Sequence, residues 1–370
     1  MTKLNQFDQQ LDSASRKITN STESNISPSP IMASNQAAWL DGKGAQLRVA
    51  ESAMPKPGAD EVVIKNHAIA INPVDWKIQD SGMFLKSFPN VLGCDVAGEI
   101  YEVGSNVKNF KKGDRVASHC ISLLTSKPQD GGFQLYTSCP AGTTGKIPEG
   151  ISLTDASVLP LALDTAAVGL FQPSSGGHLG LPFPTLEKKD SGKTIIVWGG
   201  SSSVGALAIQ LAVAAGAKVI ATASKRNFDF CKSAGAIEVL DYSSSSIVDD
   251  LIAAVKNAGG EFAGVYDSIA LPDQSLNTIF KALEKLGGGN VAVVLPPPEN
   301  VPSGVKAGHV FGINPLTHPI WADFVTPALE KGVLKCLPPP KVVGKGLESV
   351  QKGCDENKKG VSAAKVVIEL

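Results

Sequence analysis

The residues of this 370-residue chain best suited to chemistry stand at one bend. Gly199, Gly200, Ser201, Ser202, Ser203, Val204 and Gly205 follow the β-branched and aromatic run Thr194–Trp198 and precede the apolar run Ala206–Leu211. Glycines and serines cannot continue the strand that this composition predicts, and from Val204 the apolar residues fit one face of a helix. The bend reads as strand, tight turn, helix. Unpaired N–H groups at a helix start sit at the positive end of its dipole, so a pyrophosphate can rest on them. Gly199 and Gly200 let the backbone turn and come close to the phosphates, and Gly205 lets the helix pack against the strand. Against G-x-G-x-x-G the match is Gly200, Ser202, Gly205, with the middle glycine replaced. Taken alone, the motif with its middle glycine replaced does not establish nucleotide binding, and a glycine-serine turn between core elements is the alternative.

The continuation supplies the context. Ala217–Ala223 reads as a second strand and completes a βαβ unit of the expected length. Strands at Ile237–Leu240, Gly264–Tyr266 and Asn290–Leu295 alternate with helices near Ile247–Lys256 and Gln274–Leu286, which predicts a doubly wound parallel sheet. The end of the second strand then bears on the cofactor. An NAD site places an acid there for the ribose 2′-hydroxyl, whereas an NADP site supplies cations and hydroxyls for a 2′-phosphate. Ser224, Lys225 and Arg226 stand at this point, with no acid before Asp229, so NADPH is the expected cofactor and a solvated basic turn the alternative.

A formal net charge of −1 gives no electrostatic reason to expect nucleic acid or an anionic membrane as partner. The most apolar window, Val204–Ala223, is divided by Gly216 and Lys218 into helix and strand rather than forming a membrane span. Six cysteines without CxxC spacing suggest free thiols, and no segment reads as a presequence or signal, so a cytoplasmic protein is expected. Residues 1–32 are polar, rich in Ser, Asn and Gln, and are expected to form a disordered tail. Beyond it, the strand patterns at Gln36–Leu40, Glu61–Ala70 and Gly98–Gly104, and the turn Lys112–Val116, predict a small barrel-like domain ahead of the nucleotide domain. Phe171–Asp190 reads as an unusually long loop, and Pro296–Pro298 and Pro338–Pro340 as stiff connectors.

Ile71–Lys77, Leu92–Gly98, Val103–Gly104 with Gly113–Val116, and the turn Gly199–Gly205 occur in the order found in the medium-chain dehydrogenase/reductase superfamily. The chain resembles its zinc-independent quinone oxidoreductase branch, and most closely the fungal trans-acting enoyl reductases. The resemblance implies a GroES-like catalytic domain over 33–160, a Rossmann NADPH-binding domain over 161–313 and a return to the catalytic domain over 314–370. Helices at Leu316–Leu334 and Gly346–Gly353 and a last strand within Val361–Leu370 are expected for that return. Zinc-dependent relatives carry Cys in the segment matched by Ile71–Lys77, His where Cys94 stands here, and four clustered cysteines. This chain has none of these, so no metal is expected and Cys94 reads as a packed thiol.

Without a Lewis acid, the expected reaction is hydride transfer to a double bond conjugated to a carbonyl, with charge developing on an enolate oxygen. In the enoyl reductases that the chain resembles, a lysine ending an Asn-Pro-x-Asp-x-Lys motif lies beside the substrate. Asn72–Lys77 matches, which makes Lys77 the candidate to stabilise or protonate the enolate and sets Asn72 and Asp75 in the substrate cleft. Thr165 matches a threonine near cofactor and substrate, or else is a helix hydroxyl bonded to its own backbone. By the same resemblance Gly200–Val204 hold phosphates, Ser224, Lys225, Arg226 and Tyr242 face the 2′-phosphate, and Leu295 and Phe311 line the nicotinamide. The implied partners are a small-molecule substrate and a polyketide synthase, the chain itself acting as monomer or homodimer. Two other functions share these residues: an NADPH quinone oxidoreductase, and a non-catalytic NADPH-binding sensor.

Overall fold

Ile195, Ile196, Val197 and Trp198 are all buried, as an unbroken apolar strand with both faces covered requires. In the computed structural model, which describes residues 34–187 and 189–370, the strand Lys193–Trp198 lies inside a six-stranded parallel sheet. The tail expected over residues 1–32 lies outside the described residues. In space the strands run Glu238–Asp241, Lys218–Ala223, Lys193–Trp198, Glu261–Asp267, Gly289–Val293, Val305–His309. This order, third, second, first, fourth, fifth, sixth, reverses direction beside Lys193–Trp198, where a doubly wound sheet opens its ligand crevice. Ile195 and Val197 pack with the helices Pro160–Phe171 and Ser203–Ala214 on one face. Ile196 and Trp198 pack with Ile247–Ala258 and Asn277–Lys285 on the other.

The second sheet is built largely from residues before this one and closed by residues after it. Its order is Pro340–Lys345, Lys365–Glu369, Glu61–Ala70, Asp95–Val103, Arg115–His119, Thr144–Lys146, with Tyr136–Pro140 also on Glu61–Ala70. Lys365–Glu369 runs antiparallel to Glu61–Ala70, with Val367 opposite Ala70 and Ile368 opposite Ile69. A three-stranded sheet of Arg48–Ser52, Asn35–Leu40 and Asn90–Val91 adds to this β-rich region.

Several boundaries differ from expectation for local reasons. The helix expected over Leu316–Leu334 is continuous from Pro315 to Glu330 but changes pitch along its length, with Pro315–Thr317 tighter and Ile320–Val325 wider than the α-helical Thr326–Glu330, where Pro327 lacks the N–H an i to i−4 bond needs. The helix expected at Gly346–Gly353 forms at Val350–Lys359, after Gly346 takes a φ of 74°. The connector expected at Pro338–Pro340 leads directly into a strand, Pro340–Lys345, that was not expected, with its proline at the first position, where the missing N–H is tolerated. Between Phe171 and Glu187 the one regular piece is the turn Ser174–Gly176, yet Leu179 and Leu181 are buried and Phe183 stacks on Phe171 with centroids 5.4 Å apart.

Candidate active site and cofactor cleft

The carboxyl end of Lys193–Trp198 opens on a cleft of about 490 Å³ whose lining includes Trp198, Gly199, Ser201, Ser202, Arg226 and Tyr242. A Cβ on Gly205 would stand 2.2 Å from the Gly199 carbonyl oxygen, so only glycine lets the helix begin this close to the strand. Ser202, in the place of the middle glycine, is the N-cap. Its Oγ accepts the Gly205 N–H at 3.0 Å and donates to Ser268 Oγ at 2.9 Å. Ser268 in turn donates to the Trp198 carbonyl at 2.6 Å, which ties the turn to the strand it leaves. The N–H groups of Ser203 and Val204 have no partner among the described residues, as expected of a helix's first turn. They are donors an anion can use. Gly200 has a different part from the one expected. Its N–H donates to the Thr222 carbonyl at 2.8 Å, so that donor is committed to the neighbouring strand, and a Cβ would meet Ala221 at 3.0 Å.

At the other end of the cleft, Ser224 follows Lys218–Ala223, and Lys225 and Arg226 are exposed. The fold also brings an acid that lies too far along the chain to be read there. Asp241 pairs in register with Ala223, and its carboxylate lies 3.9 Å from Lys225 Nζ. Hydrogen bonds from Ser243 hold the Asp241 carboxyl below its ordinary range, so it stays ionised and faces Lys225. Asn227 donates to Ser201 Oγ at 3.1 Å and to Ser362 Oγ at 3.0 Å, joining the phosphate turn to the segment before the last strand. Leu295 is half-buried just beyond Gly289–Val293, and Phe311 is 37% exposed.

The residues expected to do chemistry fall into two groups. Thr165 and Gly312, next to Phe311, are together: a Cβ on Gly312 would be 2.9 Å from Thr165 Oγ1. Thr165 donates its hydroxyl proton to the Leu161 carbonyl at 2.7 Å, which leaves its oxygen lone pairs free. Lys77 is half-buried on the helix Pro73–Ser81, its ammonium 5.6 Å from the Trp76 ring centroid and in no ion pair among the described residues. No hydrogen bond or ion pair among the described residues links it to Thr165.

Asn72 and Asp75 do not line a cleft. Both are sealed in a polar network with Asp95, Lys365 and Cys94, none more than 3% exposed. Asn72 Nδ2 donates to Asp95 at 2.8 Å, and Lys365 Nζ donates to Asn72 Oδ1 at 2.6 Å and lies 2.9 Å from Asp95. Asp95 also accepts the Leu161 N–H at 2.6 Å, and Lys365 reaches Ser203 Oγ on the phosphate turn at 3.5 Å. Asp75 accepts the Asn72 N–H at 2.7 Å and the Cys94 thiol at 3.7 Å. Burial pushes the Asp75 carboxyl up to about 7 and raises the Cys94 thiol well above its usual range. With their polar atoms committed, Asn72 and Asp75 brace the helix that carries Lys77.

Residues 58–149 match the family pattern of the alcohol dehydrogenase GroES-like domain, and residues 203–311 that of the zinc-binding dehydrogenases. The chain is 48% identical to the dehydrogenase orsE of Emericella nidulans over 92% of its own length and all of that protein. It belongs to the medium-chain dehydrogenase/reductase superfamily. The trans-enoyl reductase himH of Aspergillus japonicus is 42% identical, covering 91% of this chain and 97% of its own. An alcohol dehydrogenase superfamily protein from Novosphingobium aromaticivorans superposes with a TM-score of 0.73 at 22% identity, covering 91% of this chain and 99% of its own. This medium-chain dehydrogenase/reductase is an oxidoreductase, and members of its superfamily bind a nicotinamide cofactor. The capped turn with its free N–H donors fits the pyrophosphate of such a cofactor.

A tetrahedral zinc does not fit the donors present. The Cys94 thiol donates a hydrogen bond to Asp75, and among the described residues no three His, Cys, Asp or Glu side chains converge as a metal site. Sequence reasoning also passed over a buried group next to Thr165. His119 Nδ1 lies 2.8 Å from Asp164, which accepts Trp321 Nε1–H at 2.7 Å, and His119 Nε2 has no partner among the described residues. The signal was a lone acid inside the apolar run Leu161–Leu170, since a charge on a buried helix face requires a partner.

Proposed function

We propose that this chain is an NADPH-dependent reductase that delivers hydride to a carbon–carbon double bond conjugated to a carbonyl, and that it does so without a bound metal. The observation that carries the reading is the Ser202-capped turn, with free N–H donors at Ser203 and Val204 and with Arg226, Ser224 and Tyr242 along the same cleft. Together these groups supply donors for a pyrophosphate and a guanidinium for a 2′-phosphate. The likeness to the trans-enoyl reductase himH supports an enoyl acceptor, and a substrate presented by a separate polyketide synthase fits it.

Reduced nicotinamide, when bound, supplies the hydride. The protein's own part is to hold the acceptor and to answer the charge that develops on its oxygen. Lys77 is the group assigned to that oxygen: its ammonium has no carboxylate partner among the described residues, so its charge is available to an enolate. Thr165 retains acceptor lone pairs beside Gly312, suited to orient an amide N–H. Steady-state kinetics of the purified chain with a panel of enones test the reading. NADPH should give the lower KM of the two reduced coenzymes, and Lys77→Ala should lower enone turnover at least about tenfold with NADPH binding unchanged. A lower KM for NADH removes the cofactor assignment, and unchanged turnover removes Lys77 from the mechanism.

A further inference from the structure

Phe84 stands in a costly place. The Leu85 N–H donates to the Gly82 carbonyl at 3.2 Å, closing a tight turn in which Phe84 is the third residue, with a φ of 67°. That position of a turn favours glycine, because a Cβ is strained there. The ring nevertheless remains 49% exposed, so core packing does not account for the strain. Strain held at an exposed aromatic points to a use for the ring.

The partner across from it is Phe311. Phe84 follows the helix Pro73–Ser81 that bears Lys77, whereas Phe311 follows the last strand of the nucleotide-binding sheet and adjoins Gly312 on Thr165. The ring centroids are 6.5 Å apart with 53° between the planes. Such a V lies near the outer limit for two rings in mutual contact. A third flat ring can lie on the face of one and against the edge of the other, an arrangement aromatic quadrupoles favour and saturated rings cannot reproduce.

We infer that Phe84 and Phe311 select acceptors whose double bond is conjugated to an aryl ring, with Phe84 the specificity-determining residue. This deepens the enone-reductase reading and rests on it. The experiment compares 4-phenyl-3-buten-2-one with 4-cyclohexyl-3-buten-2-one, which share the enone and ring size and differ in aromaticity. The wild type should show a KM about fivefold lower for the phenyl compound, the size of preference that aromatic pairing contributes beyond burial. Phe84→Leu should bring the two KM values to about equality while leaving kcat for the cyclohexyl compound unchanged. Phe84→Gly should do the same and leave thermal stability equal or higher, since glycine suits the turn. Equal KM values in the wild type, or a preference that survives both substitutions, overturns the inference. If neither compound is turned over, the enone reading fails by itself. Calorimetric binding of the saturated 4-phenylbutan-2-one against 4-cyclohexylbutan-2-one then decides the aromatic preference by the same ratio.

Discussion

Asp75 is a fully buried carboxyl in one network with Asp95 and Lys365, and burial lifts it from 3.8 to about 7. Between those values the folded chain holds a proton that the unfolded chain releases. The stability this group contributes is therefore full below pH 3.8 and is lost as pH rises through 7, with a limiting slope of about 1.4 kcal/mol per pH unit. Asp75→Asn keeps one acceptor for the Asn72 N–H and cannot titrate. Urea denaturation should show the wild type losing more stability than Asp75→Asn between pH 5 and 7.5, and parallel losses would show that Asp75 does not titrate there. At this scale the sequence was uneven. Cys94 was legible as a packed thiol because one thiol beside one carboxylate is too few ligands for a tetrahedral zinc. Lys365 was not, because a lysine in a final strand looks solvated until Asn72 and Asp95 are known to surround it.

At the scale of elements, the strand, turn and helix from Lys193 to Ala214 were legible because three independent signals coincide there: a β-branched run, a break of glycines and serines, and one apolar helix face. The sixth strand of that sheet, Val305–His309, gave no such signal, since Lys306 and His309 are exposed and an edge strand need not be apolar. Pro340–Lys345 escaped for the same reason. The tight join at the turn carries a testable cost. Gly205→Ala puts a methyl 2.2 Å from a carbonyl oxygen, so the helix start must retreat and take the Ser203 and Val204 donors with it. Affinity for NADPH by fluorescence titration should fall at least about tenfold, the upper end of what the loss of one ordinary hydrogen bond produces. Wild-type affinity in Gly205→Ala would mean that those donors do not hold the phosphates.

For the molecule as a whole, Lys365 is where the two sheets meet. One ammonium touches Asp95 in the GroES-like sheet, Asn72 at the helix bearing Lys77, and Ser203 on the nucleotide-binding side. Lys365→Met leaves the Asp95 carboxylate buried and unpaired and should cost about 3–5 kcal/mol in urea denaturation. Adding Asp95→Asn should return more than half of that loss. A double variant no more stable than Lys365→Met would show that the pair's charges are not what the site depends on. This junction was invisible in the sequence, because it is made by residues from four distant segments that only the topology assembles.

The strand Lys365–Glu369 lies between Glu61–Ala70 and Pro340–Lys345, inside the GroES-like sheet. On a ribosome, residues 193–309 of the nucleotide-binding sheet have all been synthesised before this strand exists. The GroES-like residues, made first, must therefore wait with an open β edge while the later sheet folds ahead of them. An open edge on a nascent chain is a template for wrong pairing. Chaperone dependence in this protein is accordingly expected in residues 61–146 rather than in the nucleotide-binding sheet.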